Sequence, residues 1–391
     1  MMEKHGISYW YAAAFMFGAV QLVALPILIP SHIFEVTGSM AHTGAALAFV
    51  GLSGFVAPII GSVIDRLRAH ALAQKLALLS HVVAMVIFAF VPQTLAMYLA
   101  TFLVGLGSIT LMTVNPTFIV VAGYNDEQQA LRLTRMNQSI FVGAVMMGAI
   151  LPLSINLSSQ VAFLVVAITA VLSLMISGID SKKAASRLVL EETTESETTE
   201  KGHWNATFVT FLLAVFIAMI ASSNQVAQGP NLFESLFSID KSATSLLLAF
   251  SSVISLLTLD IAGRALTKFG AGKVWIVGLI GYVVVGLVLS LLATGHARFF
   301  YLPLVMHLLF MQCLSMVDMV KPAIVAKVTT LPPASTQGLL LFAIAGSYAT
   351  GTTMGGITAE WFGLTSIFSL VTGASAIAGL FAVLTLSRIK F

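Results

Sequence analysis

Gly61-Ser62-Val63-Ile64-Asp65-Arg66-Leu67-Arg68 lies between two long apolar runs. Charge concentrated in so short a stretch belongs at a membrane boundary, which makes this a tight turn between two spanning helices. About two hundred residues later a second copy follows another apolar run: Gly263-Arg264-Ala265-Leu266-Thr267-Lys268-Phe269-Gly270-Ala271-Gly272-Lys273. A recurrence at that separation indicates a chain built twice on one plan.

Composition fixes the solvent. Of 391 residues, 58% are hydrophobic and 9% charged, where a soluble domain carries about a quarter charged residues. An integral membrane protein is implied, its partner the lipid bilayer. Apolar runs fall at 9–30, 42–64, 72–91, 95–121, 136–155 and 161–179, then at 207–227, 245–266, 274–293, 299–320, 338–362 and 364–386. At about twenty residues per span these give twelve helices. The first run is too long for a signal-peptide core and has no small-residue cleavage site, so it reads as a retained span. Between the sixth and seventh runs, 180–203 includes Glu-Glu-Thr-Thr-Glu-Ser-Glu-Thr-Thr-Glu, a solvated linker with nothing to bury. The expected division is therefore 1–179, 180–203 and 204–391: an all-α membrane protein of two pseudo-symmetric six-helix bundles.

With an even number of spans both termini and the linker share one side. Nearly all Lys and Arg fall on that side or at its edge, and only Lys241 and Arg298 fall opposite. The crowded side is cytoplasmic by the positive-inside rule. Two further echoes support the repeat. Ile29-Pro30-Ser31-His32-Ile33-Phe34-Glu35 matches Gly229-Pro230-Asn231-Leu232-Phe233-Glu234, and Val114-Asn115-Pro116 matches Val320-Lys321-Pro322.

The paired turns resemble the loop signature of the major facilitator superfamily: Gly, then Asp-Arg, Gly, Arg-Lys, after the second and eighth helices. The first copy keeps Gly61, Asp65 and Arg66 but has Arg68 at a glycine position. The second keeps Gly263, Lys268, Gly270 and Lys273 but has Thr267 at the Asp position. The resemblance implies alternating access around a site between the halves, with Asp65 closing the inner gate. Arg132 and Arg135 on the next inner loop are its available partners. A solvated turn is the competing reading of these charges.

Within that resemblance, the short bacterial drug exporters carry an Arg where Thr101 stands, four residues before Gly105-Leu106-Gly107. Their antiporter glycine signature is only suggested at 143–152 and better matched by Gly351-Thr352-Thr353-Met354-Gly355-Gly356, where close helix contact is the alternative role. The implied activity is proton-coupled efflux of a small amphiphile from a bacterial inner membrane, by a monomer. Export of an anionic metabolite, with Lys321 binding the anion, or nutrient symport are the alternatives. A non-transporting receptor is a further one.

Ionisable groups inside a span are costly and hence candidates for proton coupling. Asp260 and Asp318 qualify, with His307 on the helix that carries Asp318. Asp318 could equally form an i, i+3 pair with Lys321. Gln21, Asn115, Asn137, Gln138, Asn224, Gln225, Gln228 and Gln312 supply neutral polar groups for a solute path. There is no phosphate-binding loop, metal-ligand cluster or catalytic constellation, so no cofactor, nucleic acid or enzymatic chemistry is expected. A reporter active only in the cytoplasm should work when fused after Lys201 and fail after Lys241. The opposite pattern of activity would invert the orientation.

Overall fold

The computed structural model describes residues 7–188, 205–295, 301–328 and 333–389, with the side chains at 126, 127, 130, 259–264, 266, 267, 322, 323, 326 and 333–338 outside that description. Twelve long helices run through the described residues. The first six are α1 (Tyr11–Thr37), α2 (Met40–Leu67), α3 (His70–Phe90), α4 (Thr94–Val120), α5 (Asp126–Ile155) and α6 (Ser159–Ser177). A short helix, Ser181–Ala185, follows. The second six are α7 (Ala206–Phe237), α8 (Lys241–Phe269), α9 (Ala271–Thr294), α10 (Tyr301–Val328), α11 (Pro333–Phe362) and α12 (Ser366–Ser387). Among the described residues, eleven of the twelve are long and apolar enough to cross a membrane. The exception is α11, whose Gly346, Gly351, Gly355, Gly356, Thr350, Thr352 and Thr353 replace aliphatic side chains.

Helix starts follow local chemistry. Ser39, Asn125, Ser158 and Asn205 each accept a backbone N–H three residues on, from His42, Gln128, Val161 and Phe208. These caps satisfy donors that a helix start would otherwise leave unpaired.

The packing repeats between the halves. Helix α1 packs on α5 as α7 packs on α11, α3 on α4 as α9 on α10, and α3 on α6 as α9 on α12. Each half has its own core: Phe88 stacks on Phe163 at 5.0 Å in the first, Tyr282 on Phe310 at 4.4 Å in the second. Between halves the main contacts are α2 with α11 and α5 with α8. Lipid tails are as apolar as a protein core, so helix association depends on close packing and hydrogen bonds. That is why the α2–α11 seam is built on small residues. A Cβ on Gly44 would collide with the Thr352 carbonyl, and one on Gly51 would lie 2.6 Å from the Ala349 nitrogen.

The start of the expected linker is folded. Asp180 accepts from the Tyr9 and Trp10 backbone N–H groups at 2.8 and 2.7 Å, and Ala184, Ala185 and Leu188 pack on the inner core of the first half. Apolar residues here have a surface to cover, and Asp180 has two donors to satisfy.

At the matching position both signature turns have positive φ, left-handed helical at Arg68 and extended in ψ at Gly270. Arg68 ends α2 at φ +50° and Gly270 precedes α9 at φ +81°. Left-handed backbone is comfortable for glycine and costs other residues about 1 kcal/mol or more. The glycine absent from the first turn is thus missing from a position that strains its replacement. Arg68→Gly should raise stability by about 1 kcal/mol, read as a higher unfolding temperature in detergent; an unchanged or lower temperature would mean that Arg68 makes compensating contacts.

Candidate functional site

The helices define two ends of the molecule: a linker side, where α1 and α7 begin, and a far side, where they finish. On the far side the halves are tied together. Ser31 Oγ of α1 donates to Asn231 Oδ1 of α7 at 2.9 Å, joining matching positions of the two repeats. Lys241 at the start of α8 bonds to Glu35 of α1 and lies 3.7 Å from Glu234 of α7. The Glu360 carboxylate on α11 accepts from Ser39 Oγ at 2.6 Å and from the Ala41 N–H at 2.9 Å.

The linker side differs. Over 57–67 of α2 only Ala57 and Ile64 are buried, whereas seven residues of Met40–Leu52 are buried. The halves are thus packed more closely along the far-side part of α2 than along its linker-side part.

Beyond its midpoint, α7 carries four buried amides: Asn224, Gln225, Gln228 and Asn231. Asn224 Nδ2 donates to the Gly351 carbonyl at 2.8 Å, and Gln225 Nε2 lies 3.5 Å from His307 Nδ1 on α10. Asn224 Oδ1, Gln225 Oε1, Asn231 Nδ2, His307 Nε2 and both polar atoms of Gln228 have no protein partner among the described residues. At 100° per residue Asn224, Gln228 and Asn231 share one face. Asn224 meets α11 and Asn231 meets α1, and Gln228 lies on the same face, buried with both polar atoms unpartnered. A buried polar group left unpaired costs about 1–3 kcal/mol, and a cluster of them is what a polar solute would satisfy.

Gln21 sits at a change of helix type. Val20–Ala24 forms a π turn, in which the Leu25 N–H bonds back to the Val20 carbonyl. Pro26 supplies no N–H to the Leu22 carbonyl, which loosens the ordinary pattern here. Such turns recur at functional sites. The π turn packs on α5 and α8, placing half-buried Gln21 at the centre of the molecule. On α10, Asp318 Oδ1 pairs with Lys321 Nζ at 2.5 Å. Lys321 is only 4% exposed and also approaches Met219 Sδ of α7 at 3.2 Å, while Asp318 is 52% exposed. The i, i+3 pair is therefore present, with its acid accessible and its base buried.

The other expected site residues have the following surroundings. Asp65 pairs with His70 Nε2 at 2.9 Å, not with Arg132 or Arg135. The left-handed turn at Arg68 brings the start of α3 back against the end of α2, so His70 is the nearest base. Arg132 lies over the Tyr124 ring at 4.2 Å, and Arg135 donates to Gln138 Oε1 at 2.8 Å. Arg66 and Lys268 are exposed, and Gly61 faces Thr113 with room for a side chain. Asn115 turns toward α3, where its Oδ1 accepts from Gln74 at 2.8 Å. Asn137 is exposed on α5. Gln312 bridges α10 to α8, donating to Ser255 Oγ at 3.2 Å. Thr101 bonds its own helix at the Met97 and Tyr98 carbonyls. Gly351 and Gly355 lie against Ser223 and Asn224 of α7, so the glycine run serves close packing. Asp260 and Gly263 lie outside the described side chains, and Gly270 forms the turn before α9.

No protein-family profile matches the sequence, and a search of characterised proteins finds no relative. Solved structures do match along the whole chain. A POT peptide transporter in complex with sulfate aligns with TM-score 0.78 and 13% identity, covering 98% of this chain and 95% of that one. The nucleoside transporter NupG gives 0.72 and 15%, covering 97% and 98%. A D-xylose-proton symporter gives 0.67 and 16%, covering 96% and 95%. The fold is that of the major facilitator transporters.

The far-side tie of Glu35, Lys241 and Glu234 was not among the expected site residues, although both acids close the quoted repeats. Lys241→Gln leaves two carboxylates facing each other. It should bias the protein toward far-side opening by about 1 kcal/mol, roughly fivefold in population. Thiol labelling of Ser31→Cys from the far side should rise accordingly; unchanged labelling would remove Lys241 from the gate.

Proposed function

We propose that this chain is a secondary transporter that moves a small polar solute by alternating access, with proton coupling. The observation that carries the reading is the amide cluster on α7: Asn224, Gln225, Gln228 and Asn231 with His307, buried with polar atoms left unpartnered beside the far-side contact of Asn231 with Ser31. Buried amides and an imidazole with free hydrogen-bonding atoms suit a solute with several hydroxyl, amide or ring-nitrogen groups. The named neighbours, which include a nucleoside transporter, a peptide transporter and a proton symporter of D-xylose, support a solute of this kind. With the linker side cytoplasmic, the closer packing on the far side corresponds to an inward-facing state and the far-side tie is the external gate. In the opposite state Asp65 would serve as the inner latch, exchanging His70 for a partner in the other half.

Coupling is assigned to Asp318. It is exposed, and its protonation leaves the buried Lys321 ammonium without the acid that now balances it. A buried charge stripped of its partner is strongly unfavourable, so proton binding at Asp318 favours either repacking of α10 on α7 or an anionic solute group against Lys321. Inward symport agrees with this arrangement. Export of an amphiphile is the second reading, favoured by the aromatic cluster of Phe55, Phe342 and Phe216 at the α2–α11 seam.

Proteoliposomes loaded or bathed with nucleosides, short peptides, sugars, organic acids and cationic amphiphiles, under a pH gradient of either sign, test the proposal. Gln228→Ala should lower apparent affinity for the transported solute by about tenfold, the value of one charge-free buried hydrogen bond lost with its orphaned partner. Asp318→Asn should abolish gradient-driven accumulation while leaving solute exchange intact. Transport that survives both substitutions unchanged would refute the site and the coupling residue together.

A further inference from the structure

A groove of about 530 Å³ lies away from the junction of the halves, between α3 and α6 at their linker-side ends. Its walls are Lys75, Leu76, Leu79, Leu174, Met175, Gly178 and Ile179. Leu76, Leu79, Met175 and Ile179 are 54%, 45%, 67% and 64% exposed, which on two spanning helices marks a surface covered by acyl chains. Lys75 is the odd member. It is half-buried, its stem lies within reach of Gly178, and no acidic partner or hydrogen bond is found for it among the described residues. The nearest acid in the chain beyond α6, Asp180, is already engaged by two backbone N–H groups. Lys182 and Lys183, on the short helix that packs against α3, add positive charge to the same corner.

We propose that this groove binds one anionic phospholipid of the leaflet on the linker side, its phosphate on Lys75 and its acyl chains along Leu76, Leu79 and Met175. The charge accounts for the headgroup and the apolar walls for the chains. Lysines at a membrane surface draw anionic lipid with an energy that each contributes separately. A lysine merely reaching for water needs no groove beside it, and an apolar groove in a lipid-facing surface needs no lysine. The two together fit a ligand with both parts. A Cβ on Gly178 would lie 3.7 Å from the Lys75 Cε, which places the Lys75 stem along this corner of α6. Such a lipid would clamp α3 to α6, two helices on the outside of the first half, away from the α2–α11 and α5–α8 contacts that must change during transport.

The test is native mass spectrometry of the full-length protein in neutral detergent, with added phosphatidylglycerol or phosphatidylcholine at equal concentration. One phosphatidylglycerol should be retained in about fivefold preference over phosphatidylcholine. Lys75→Gln should abolish the preference and Lys75→Arg preserve it, while 10-fold excess inorganic phosphate should not compete, because it lacks the acyl chains. Equal retention of the two lipids would overturn the proposal, as would an undiminished preference in Lys75→Gln or displacement by phosphate. Should Lys75→Gln fail to fold, Met175→Trp decides: by filling the groove it should lower retention of phosphatidylglycerol, and full retention would overturn the site.

Discussion

Inside a bilayer two helical bundles cannot be held together by the hydrophobic effect, because separating them exposes apolar surface to an apolar solvent. Whatever joins the halves must therefore come from very close approach and from hydrogen bonds. Here both are placed at one end. Gly44 and Gly51 let α2 touch the backbone of α11, Ser245 Oγ reaches the Gly148 carbonyl between α8 and α5 at 3.1 Å, and Lys241 ties α8 to α1. Contacts made of many small packing terms and a few polar bonds can be exchanged for similar ones at the other end. A large dry interface could not be exchanged so cheaply.

The internal symmetry is visible in these contacts. Ser31 and Asn231 occupy corresponding positions and bond across the axis relating the halves. Glu35 and Glu234 lie one place apart in that register, and both approach Lys241. The departures from symmetry are informative too. On the linker side the first signature turn carries Asp65 and the second carries Thr267, so only one half offers an acid there. On the far side both halves offer an acid and only the second offers the base.

The helix count and the repeat were legible because they depend on composition and spacing, which a membrane constrains severely. The amides of α7 were legible for the same reason: an amide is conspicuous in an apolar run. Direction of side chains was not. Asn115 looked like a cavity residue, yet it bonds Gln74 in the α3–α4 contact, and Asp65 found a base five residues away instead of one on the next loop. Apolar periodicity is weak in a chain that is buried or lipid-covered on every face, so it does not tell which face of a helix meets which neighbour. The glycine run of α11 shows the same limit, since its residues resemble a transport signature while their resolved contacts are steric.

The π turn at Val20–Ala24 has a consequence for phase. One extra residue in a turn rotates everything beyond it by about 100° relative to an uninterrupted helix. The lower part of α1 is keyed to α5, with Gly18 against the Ile140 carbonyl and the Phe15 carbonyl against Gly143, while the upper part presents Ser31 to α7. A single straight helix could not face both partners in this register. The turn thus works as a phase converter between a contact inside one half and a contact between halves. Absorbing that extra residue would swing Ser31 and Glu35 off their partners together while leaving the foot of α1 seated on α5.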